Sequence, residues 1–336
     1  MSAIAVEQPK EYGVYQRNSN NVAAVPVLIS NAPGVKTIKF RYGLNQTKKS
    51  IWTDLKFRQD GNNVMAFVEL PGGGWYHLEF ELESPVSIKT SVVIQKVGVG
   101  EVFITAGQSN SANWGEIKQK TQTGMVVAFN GISWQLASDP MPVCGGIAGS
   151  IWPLVGDRLF KELNVPIGFL CLGVGSSGIA NWNPDGKLPL KDSKSLDGLY
   201  ILFMKEYVPK FKPYGCRAVL WHQGETNRET RQDNYYQALK SLIMTFKHDF
   251  GNTPWVIAII GNQWMNPKYG IGCRAAQKQL IKEEVALAGP DTDQLGAEYR
   301  QHNGQSSHFN EKGLDAHAGL WAISLNKLFY HQEAAK

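Results

Sequence analysis

A serine in a context suited to nucleophilic chemistry follows a hydrophobic strand in the middle of the chain. The stretch Glu101–Ser109 begins with a predicted strand, Val102–Ile104, and ends in small and polar residues. Small residues there would let a helix start close to the sheet, with Ser109 near its N-terminus. Open α/β sheets bind ligands at this edge, where backbone N–H groups can face a developing negative charge. The alternative is that Ser109 only caps the next helix.

Two further polar segments follow predicted strands. Strand Val165–Leu172 leads into the glycine-rich turn Gly173–Trp182, and a strand beginning at Ala218 leads into Gln223–Asn227. The two segments lie at the same sheet edge as Ser109 if the strands are parallel. A glycine-rich turn by itself is usually only a tight connection.

These segments together carry a family resemblance. Gly107-Gln-Ser-Asn110 and Trp221-His-Gln-Gly-Glu-Thr-Asn227 resemble two blocks of the SGNH-hydrolase superfamily. The match is to the branch that contains sialate O-acetylesterases and plant-type carbohydrate acetylesterases. The resemblance implies a three-layer α/β/α, flavodoxin-like domain with a mainly parallel sheet, preceded by a small antiparallel β-sandwich-like domain.

The resemblance also assigns roles to individual residues. It makes Ser109 the nucleophile and His308, on the loop before the last helix, the general base. The oxyanion donors would be the Ser109 N–H, the Gly175 N–H, with Gly178 as the alternative, and the Gln223 side-chain amide. We interpret His222 as a structural histidine.

One position departs from the superfamily pattern. The aspartate usually found three residues before the histidine is replaced by Gln305, and a neutral amide cannot stabilise an imidazolium as a carboxylate does. Glu225 is a candidate acid, because in an extended chain it would face the same side as Gln223. The alternatives are a Ser–His dyad and a local role for Glu225, either pairing with Arg228 or capping a helix.

The implied activity is that of a serine esterase that removes O-acetyl groups from a carbohydrate, through an acyl-enzyme on Ser109. Gln108 and Asn110, which flank the nucleophile, are expected to bind substrate, and no metal or organic cofactor is needed. Two alternatives remain open: a non-catalytic carbohydrate-binding or phage-tail structural protein on an esterase fold, and a lipase or thioesterase. The sequence does not distinguish acetylated sialic acid from acetylated xylan or O-antigen.

Composition and charge indicate the class of protein and the partners to expect. The 336 residues are 43% hydrophobic and 19% charged, with a net charge of +5, which is typical of a globular protein. The absence of a long Lys/Arg run gives no reason to expect nucleic acid, and no apolar run suits a membrane span. Residues 1–10 lack a signal-peptide pattern. The four cysteines are widely spaced, which disfavours a zinc site. The disulfide state, the compartment and the oligomeric state stay open.

The hydrophobic pattern divides the chain into an accessory β domain, residues 1–96, and a catalytic domain, residues 97–336. Alternating runs predict strands in the first part, and Tyr15–Asn20 weakly resembles the region preceding the catalytic domain in some acetylesterases. Those strands are expected at Val25–Ile29, Thr37–Tyr42, Val64–Leu70, Trp75–Leu82 and Val92–Val97. In the second part we expect helices over 151–163, 197–211, 234–250, 272–288 and 311–330, and strands at Trp255–Ile260 and Gln294–Glu298.

Overall fold

The computed structural model describes residues 4–44, 49–84, 87–186, 198–261 and 263–330. The strands are β1 (Ala5–Gln8), β2 (Val14–Gln16), β3 (Val22–Ser30), β4 (Thr37–Leu44), β5 (Thr53–Asp54), β6 (Phe57–Asp60), β7 (Asn63–Pro71), β8 (Gly73–Ser84), β9 (Ser87–Gly107), β10 (Val126–Phe129), β11 (Trp134–Leu136), β12 (Ile167–Cys171), β13 (Ala218–His222), β14 (Trp255–Ile259) and β15 (Leu287–Asp291). The α-helices are α1 (Trp152–Leu163), α2 (Glu206–Phe211), α3 (Gln232–Phe250), α4 (Ile271–Lys282) and α5 (Glu311–Phe329). A π-helix at Tyr200–Lys205 precedes α2.

The first part of the chain forms two antiparallel layers. One sheet has the order β1-β3-β7-β6, and the other pairs β5 with β4, β4 with β8, and β8 with the first half of β9. Residues of β7 alternate strictly between buried and exposed positions, as a strand with one face on a core requires. The antiparallel sandwich-like region is therefore as predicted.

The second part is a mainly parallel sheet with helices on both faces. Its order is β11-β10-β12-β9-β13-β14-β15, and all neighbours are parallel except β11, which runs antiparallel to β10. Helices α1 and α5 pack in the core on one face, and α3 and α4 pack in the core on the other. This arrangement confirms the three-layer α/β/α fold class. None of the helices in the described ranges combines the length and apolarity needed to cross a membrane.

Strand β9 belongs to both parts. Its first half pairs with β8, and its second half pairs with β12 and β13. The boundary expected between residues 96 and 97 falls inside this strand, and the division into two domains stays a prediction.

A buried carboxylate holds the two parts together where β9 passes between them. Glu101 is 0% exposed, and it accepts hydrogen bonds from Gln16 Nε2 at 2.9 Å, Arg17 Nε at 2.7 Å and Arg217 Nε at 2.8 Å. Gln16 and Arg17 lie at the end of β2, and Arg217 directly precedes β13. The Glu101 side chain thus connects β9 to two other segments of the chain.

Several predicted elements differ from the structure. The helix expected over 272–288 ends at Lys282, because the chain turns and forms β15 instead. The strand expected at Gln294–Glu298 was wrong: single 3₁₀ turns occupy Thr292–Gln294 and Ala297–Tyr299. The helix expected from Asp197 begins outside the described residues, and its visible part is the π-helix followed by α2.

We expect Glu101→Gln to lower the free energy of unfolding by about 3 kcal/mol, because it leaves two arginines at a partly buried site without their carboxylate. Urea denaturation measures the change. The control is Asp60→Asn, whose 68% exposed side chain lies 3.8 Å from Arg58 and should change stability by about 0.5 kcal/mol or less. A Glu101→Gln variant as stable as this control would contradict the prediction.

Candidate active site

A cleft of about 470 Å³ opens at the carboxyl ends of β9, β12 and β13. It is lined by Gln108, Ser109, Ser176, Glu225, Thr226, Arg228, Ser307 and His308. The strand register explains the meeting, since Gly107 of β9 pairs with His222 of β13, and Thr105 of β9 pairs with Cys171 of β12. The structure therefore brings the predicted nucleophile, base and candidate acid into one cleft.

The backbone before Ser109 requires a glycine. Gly107 has φ +127°, and a Cβ there would lie 2.1 Å from the His222 carbonyl oxygen. This close approach lets the Gln108 N–H donate to the same oxygen at 2.9 Å. Ser109 is 4% exposed and begins a 3₁₀ turn that ends at Ser111. The expected helix after Ser109 is thus a single turn.

The glycine-rich turn after β12 packs beside this nucleophile loop. Val174 N–H donates to the Gly107 carbonyl at 2.9 Å, and Ser176 adopts a left-handed φ of +60°. A Cβ on Gly175 would lie 2.6 Å from Trp114 Nε1, so the indole requires a glycine here. Neither the Ser109 N–H nor the Gly175 N–H donates to another group in the described part of the chain, which leaves both available to a substrate oxyanion.

The Gln223 amide is not presented to the cleft. Gln223 is 0% exposed, and its Nε2 lies within 3.1 Å of three acceptors, namely Gln108 Oε1, the Ser177 carbonyl and Asn227 Oδ1. With two amide hydrogens and three buried acceptors, it has no free donor in this structure. In this structure the Gln223 amide supports the loops beneath the cleft, and its expected role as an oxyanion donor stays a prediction.

The side chains that flank Ser109 are also engaged within the protein. Gln108 Oε1 accepts from Gln223 Nε2 and from the backbone N–H groups of Gly224 and Thr226, each at 3.1 Å. It therefore fixes the loop after β13, although Gln108 does line the cleft. The expectation that Gln108 binds substrate stays a prediction.

Asn110 connects three segments of the site. Its Nδ2 donates to Glu225 Oε1 at 2.7 Å and to the Ser307 carbonyl at 3.2 Å. Asn110 is buried and does not line the cleft. In this structure Asn110 connects the Ser109 loop to the loop that carries His308, and its expected role in substrate binding stays a prediction.

Glu225 is a buried anion at the cleft. His222 Nε2 lies 3.0 Å from Glu225 Oε1, without the alignment of a hydrogen bond. Burial raises the pKa of the Glu225 carboxyl, but the charge of His222 and the hydrogen bond from Asn110 outweigh it, so the pKa falls from 4.5 to about 2. The side chain is therefore ionised near neutral pH, and its Oε2 has no hydrogen-bond partner.

His308 is held by its backbone beside the indole of Trp114. Its N–H donates to Ser306 Oγ at 3.0 Å, and its ring lies 5.5 Å from the Trp114 ring, centre to centre. Burial lowers the pKa of His308, Glu225 opposes that effect, and the positive charge of Arg300 adds to it. No hydrogen bond joins the His308 ring to Ser109 or Glu225 in the part of the chain described.

Sequence reasoning missed other residues around the cleft. Trp114 is 41% exposed beside Gly175 and His308, Arg228 lies on the lining with its guanidinium 4.6 Å from the Tyr269 ring centre, and Arg300 contacts the His308 loop. An exposed tryptophan close after the nucleophile was the one available signal. Among the described residues, no group of three or more His, Cys, Asp or Glu side chains is arranged to hold a metal ion.

Solved structures with a similar fold include two proteins with a TM-score above 0.5. A carbohydrate acetylesterase from Xanthomonas citri has a TM-score of 0.61 and 17% identity, over 96% of this chain and 74% of that one. A protein from Arabidopsis thaliana has a TM-score of 0.51 and 18% identity, over 68% of this chain and 98% of that one. At these identities the likeness is one of fold. A comparison with curated protein sequences found no significant match.

The sequence itself supplies the family. Residues 99–319 match the family model described as carbohydrate esterase, sialic acid-specific acetylesterase. The match covers more than half of the chain and includes the whole cleft. The chain therefore belongs to the sialic acid-specific acetylesterase family of carbohydrate esterases, and the protein is a carboxylic ester hydrolase.

Proposed function

We propose that the protein removes O-acetyl groups from a carbohydrate through an acyl-enzyme on Ser109, with His308 as general base. The observation that carries the proposal is that these two residues, far apart in the sequence, line one cleft at the carboxyl ends of the central strands. A hydroxyl and an imidazole that line the same cleft of a carbohydrate esterase support acyl transfer.

The proposed reaction has two steps. His308 accepts the Ser109 hydroxyl proton as Oγ attacks the acetyl carbonyl, and it then protonates the departing sugar oxygen. Water deprotonated by His308 next attacks the carbonyl of the acetyl-Ser109 ester. The bond to Ser109 Oγ then breaks, His308 returns the proton to Oγ, and acetate is released. The free N–H groups of Ser109 and Gly175 would stabilise the oxyanion in both steps.

In this proposal Glu225 acts through its charge rather than through a hydrogen bond to the base. An anion at the cleft favours the protonated form of His308, which appears in each step. Asn110 holds the carboxylate in place. The catalytic pair is then a Ser–His dyad supported electrostatically by a nearby carboxylate.

Among acetylated glycans, we favour sialic acid as the substrate. Sialic acid carries a carboxylate, whereas acetylated xylan is neutral at its sugar rings. Arg228 lines the cleft with a half-exposed side chain, and a guanidinium suits a carboxylate through charge-assisted hydrogen bonds. The exposed indole of Trp114 offers an apolar surface for a sugar ring.

Ser109→Ala and His308→Ala should each lower kcat by roughly 10⁶-fold, because the nucleophile and base act as a unit. Release of the fluorophore from an acetate ester measures the loss, and circular dichroism checks the fold. Ser324→Ala on α5 and the exposed His248→Ala serve as controls that should retain wild-type activity. Near-normal turnover by Ser109→Ala would refute the proposed mechanism.

Glu225→Gln should lower kcat by only about tenfold, because the carboxylate makes no hydrogen bond to the base, rather than by the roughly 10⁴-fold of a triad acid. Because the anion raises the pKa of His308, its removal should move the acid limb of kcat/KM to lower pH. A pH–rate profile of the acetate-ester reaction measures both. A loss near 10⁴-fold would instead show that Glu225 is the triad acid.

Glu225→Gln should also change how the stability of the protein depends on pH. The pKa of Glu225 is lower in the folded protein, so the ionised carboxylate stabilises the fold above about pH 4.5, and this contribution disappears as the pH falls towards 2. Thermal unfolding of Glu225→Gln should therefore depend less on pH in this window than that of the wild type. Equal pH dependence would mean that folding does not lower the pKa of the Glu225 carboxyl.

Arg228→Gln should raise KM for 9-O-acetylated sialic acid by about tenfold or more, through loss of a charge-assisted contact. It should leave turnover of acetylated xylan and of a neutral acetate ester unchanged. Acetate release from the two glycans, with Arg231→Gln as control, measures the difference. Equal losses on charged and neutral substrates would count against sialic acid as the preferred substrate.

A further inference from the structure

A buried arginine lies directly behind the loop that carries the catalytic base. Arg300 is 2% exposed, and its guanidinium donates to three backbone carbonyls, Ser307 at 2.6 Å from Nη1, Leu295 at 3.0 Å from Nε and Thr292 at 3.2 Å from Nη2. It contacts no carboxylate among the residues the structure describes. A buried charge without a direct counterion is costly, so it calls for an explanation beyond packing.

We propose that Arg300 is a positioning residue that holds the Ser307–His308 segment, and with it the imidazole, against the nucleophile loop. This inference rests on the proposed function, in which His308 is the general base. The contact that carries it is the 2.6 Å hydrogen bond to the carbonyl of the residue just before His308.

The Ser307 carbonyl is shared between the two halves of the site. It accepts from Arg300 Nη1 on one side and from Asn110 Nδ2 on the other. Because Asn110 also donates to Glu225, a continuous set of hydrogen bonds connects the buried cation to the buried anion. This arrangement fixes the base loop and the nucleophile loop relative to each other.

The side chain also anchors the residue that follows the base. The Arg300 guanidinium carbon lies 3.8 Å from the centre of the Phe309 ring, and Arg300 and Phe309 form an isolated antiparallel bridge. His308 is thus flanked by two residues that the same arginine contacts. A planar guanidinium can reach several carbonyls at once, whereas a lysine ammonium of similar length is a compact point charge.

The charge of Arg300 has a separate consequence for titration. Burial lowers the pKa of Arg300 to about 10, so it stays cationic near neutral pH. The charged or titratable groups that face His308 are Glu225 and Arg228 across the cleft, and Arg300 and His302 on its own side. Arg300 lowers the pKa of His308, so removing the cation should raise it.

The test compares Arg300→Met and Arg300→Lys with Arg217→Met in the full chain. Arg217 is a partly buried arginine that also donates to a backbone carbonyl, but it lies at the opposite end of the sheet. We expect Arg300→Met to lower kcat by about 10²-fold, as a misplaced catalytic group does, with little change in KM. The acid limb of kcat/KM and the NMR titration of His308 should both move to higher pH.

Arg300→Lys keeps the positive charge but loses the planar guanidinium that reaches three carbonyls. It should therefore lower kcat and leave the His308 titration near that of the wild type. If Arg300→Met does not fold, the kcat of Arg300→Lys tests the positioning role instead. Arg217→Met should lower the melting temperature and leave the His308 titration unchanged. Wild-type kcat in both Arg300 variants, or a His308 titration in Arg300→Met that does not move, would overturn the inference.

These outcomes separate the inference from the proposed function. If Ser109→Ala is inactive while the folded Arg300 variants behave as wild type, the esterase mechanism stands and the positioning role fails. If Ser109→Ala is active, the proposed function fails. The NMR titration then still reports whether Arg300 acts on His308, because it does not require turnover.

Discussion

The site depends on the pairing of β9 with a parallel neighbour on each side. Because β12 and β13 are in register with the end of β9, the loops that follow all three strands must leave the sheet at the same edge. Gly107 allows a close approach of β13, since any side chain there would meet the His222 carbonyl. The strand pairing alone thus brings together three loops that are distant in the sequence.

Buried amides, rather than apolar packing, then fix these loops. Gln108 accepts three hydrogen bonds from the loop after β13, and Gln223 is held on its other side by the hydroxyl of Tyr235. A buried hydrogen-bond network favours a single arrangement, because alternatives leave more polar groups unpaired. Most polar residues of the Trp221–Asn227 segment therefore serve to support the loop. Among the carboxylates and amides of this segment, only Glu225 lines the cleft.

Strand alternation and strand-end location are local signals, so sequence patterns predicted most strands and the position of Ser109 directly after β9. The expectation that His308 joins Ser109 came from the family resemblance. Sequence patterns did not predict features that depend on tertiary contacts. The single strand β9 read as two short strands, since its change of partner at the middle leaves no local mark. The direction of the Gln223 amide and the burial of Arg300 likewise depend on neighbours from other segments, so the residue types alone could not indicate them.

In the proposed mechanism, the balance of charge explains how a site without an aspartate at position 305 can support a histidine base. Gln305 is neutral and exposed, so this position supplies no buried anion to the loop that carries His308. Glu225 instead supplies a fixed anion from across the cleft, and Arg300 supplies a fixed cation behind the loop. The two charges act in opposite directions on His308. A site of this kind stabilises the imidazolium as it forms while keeping the resting base neutral, which is the requirement for a general base that works near neutral pH.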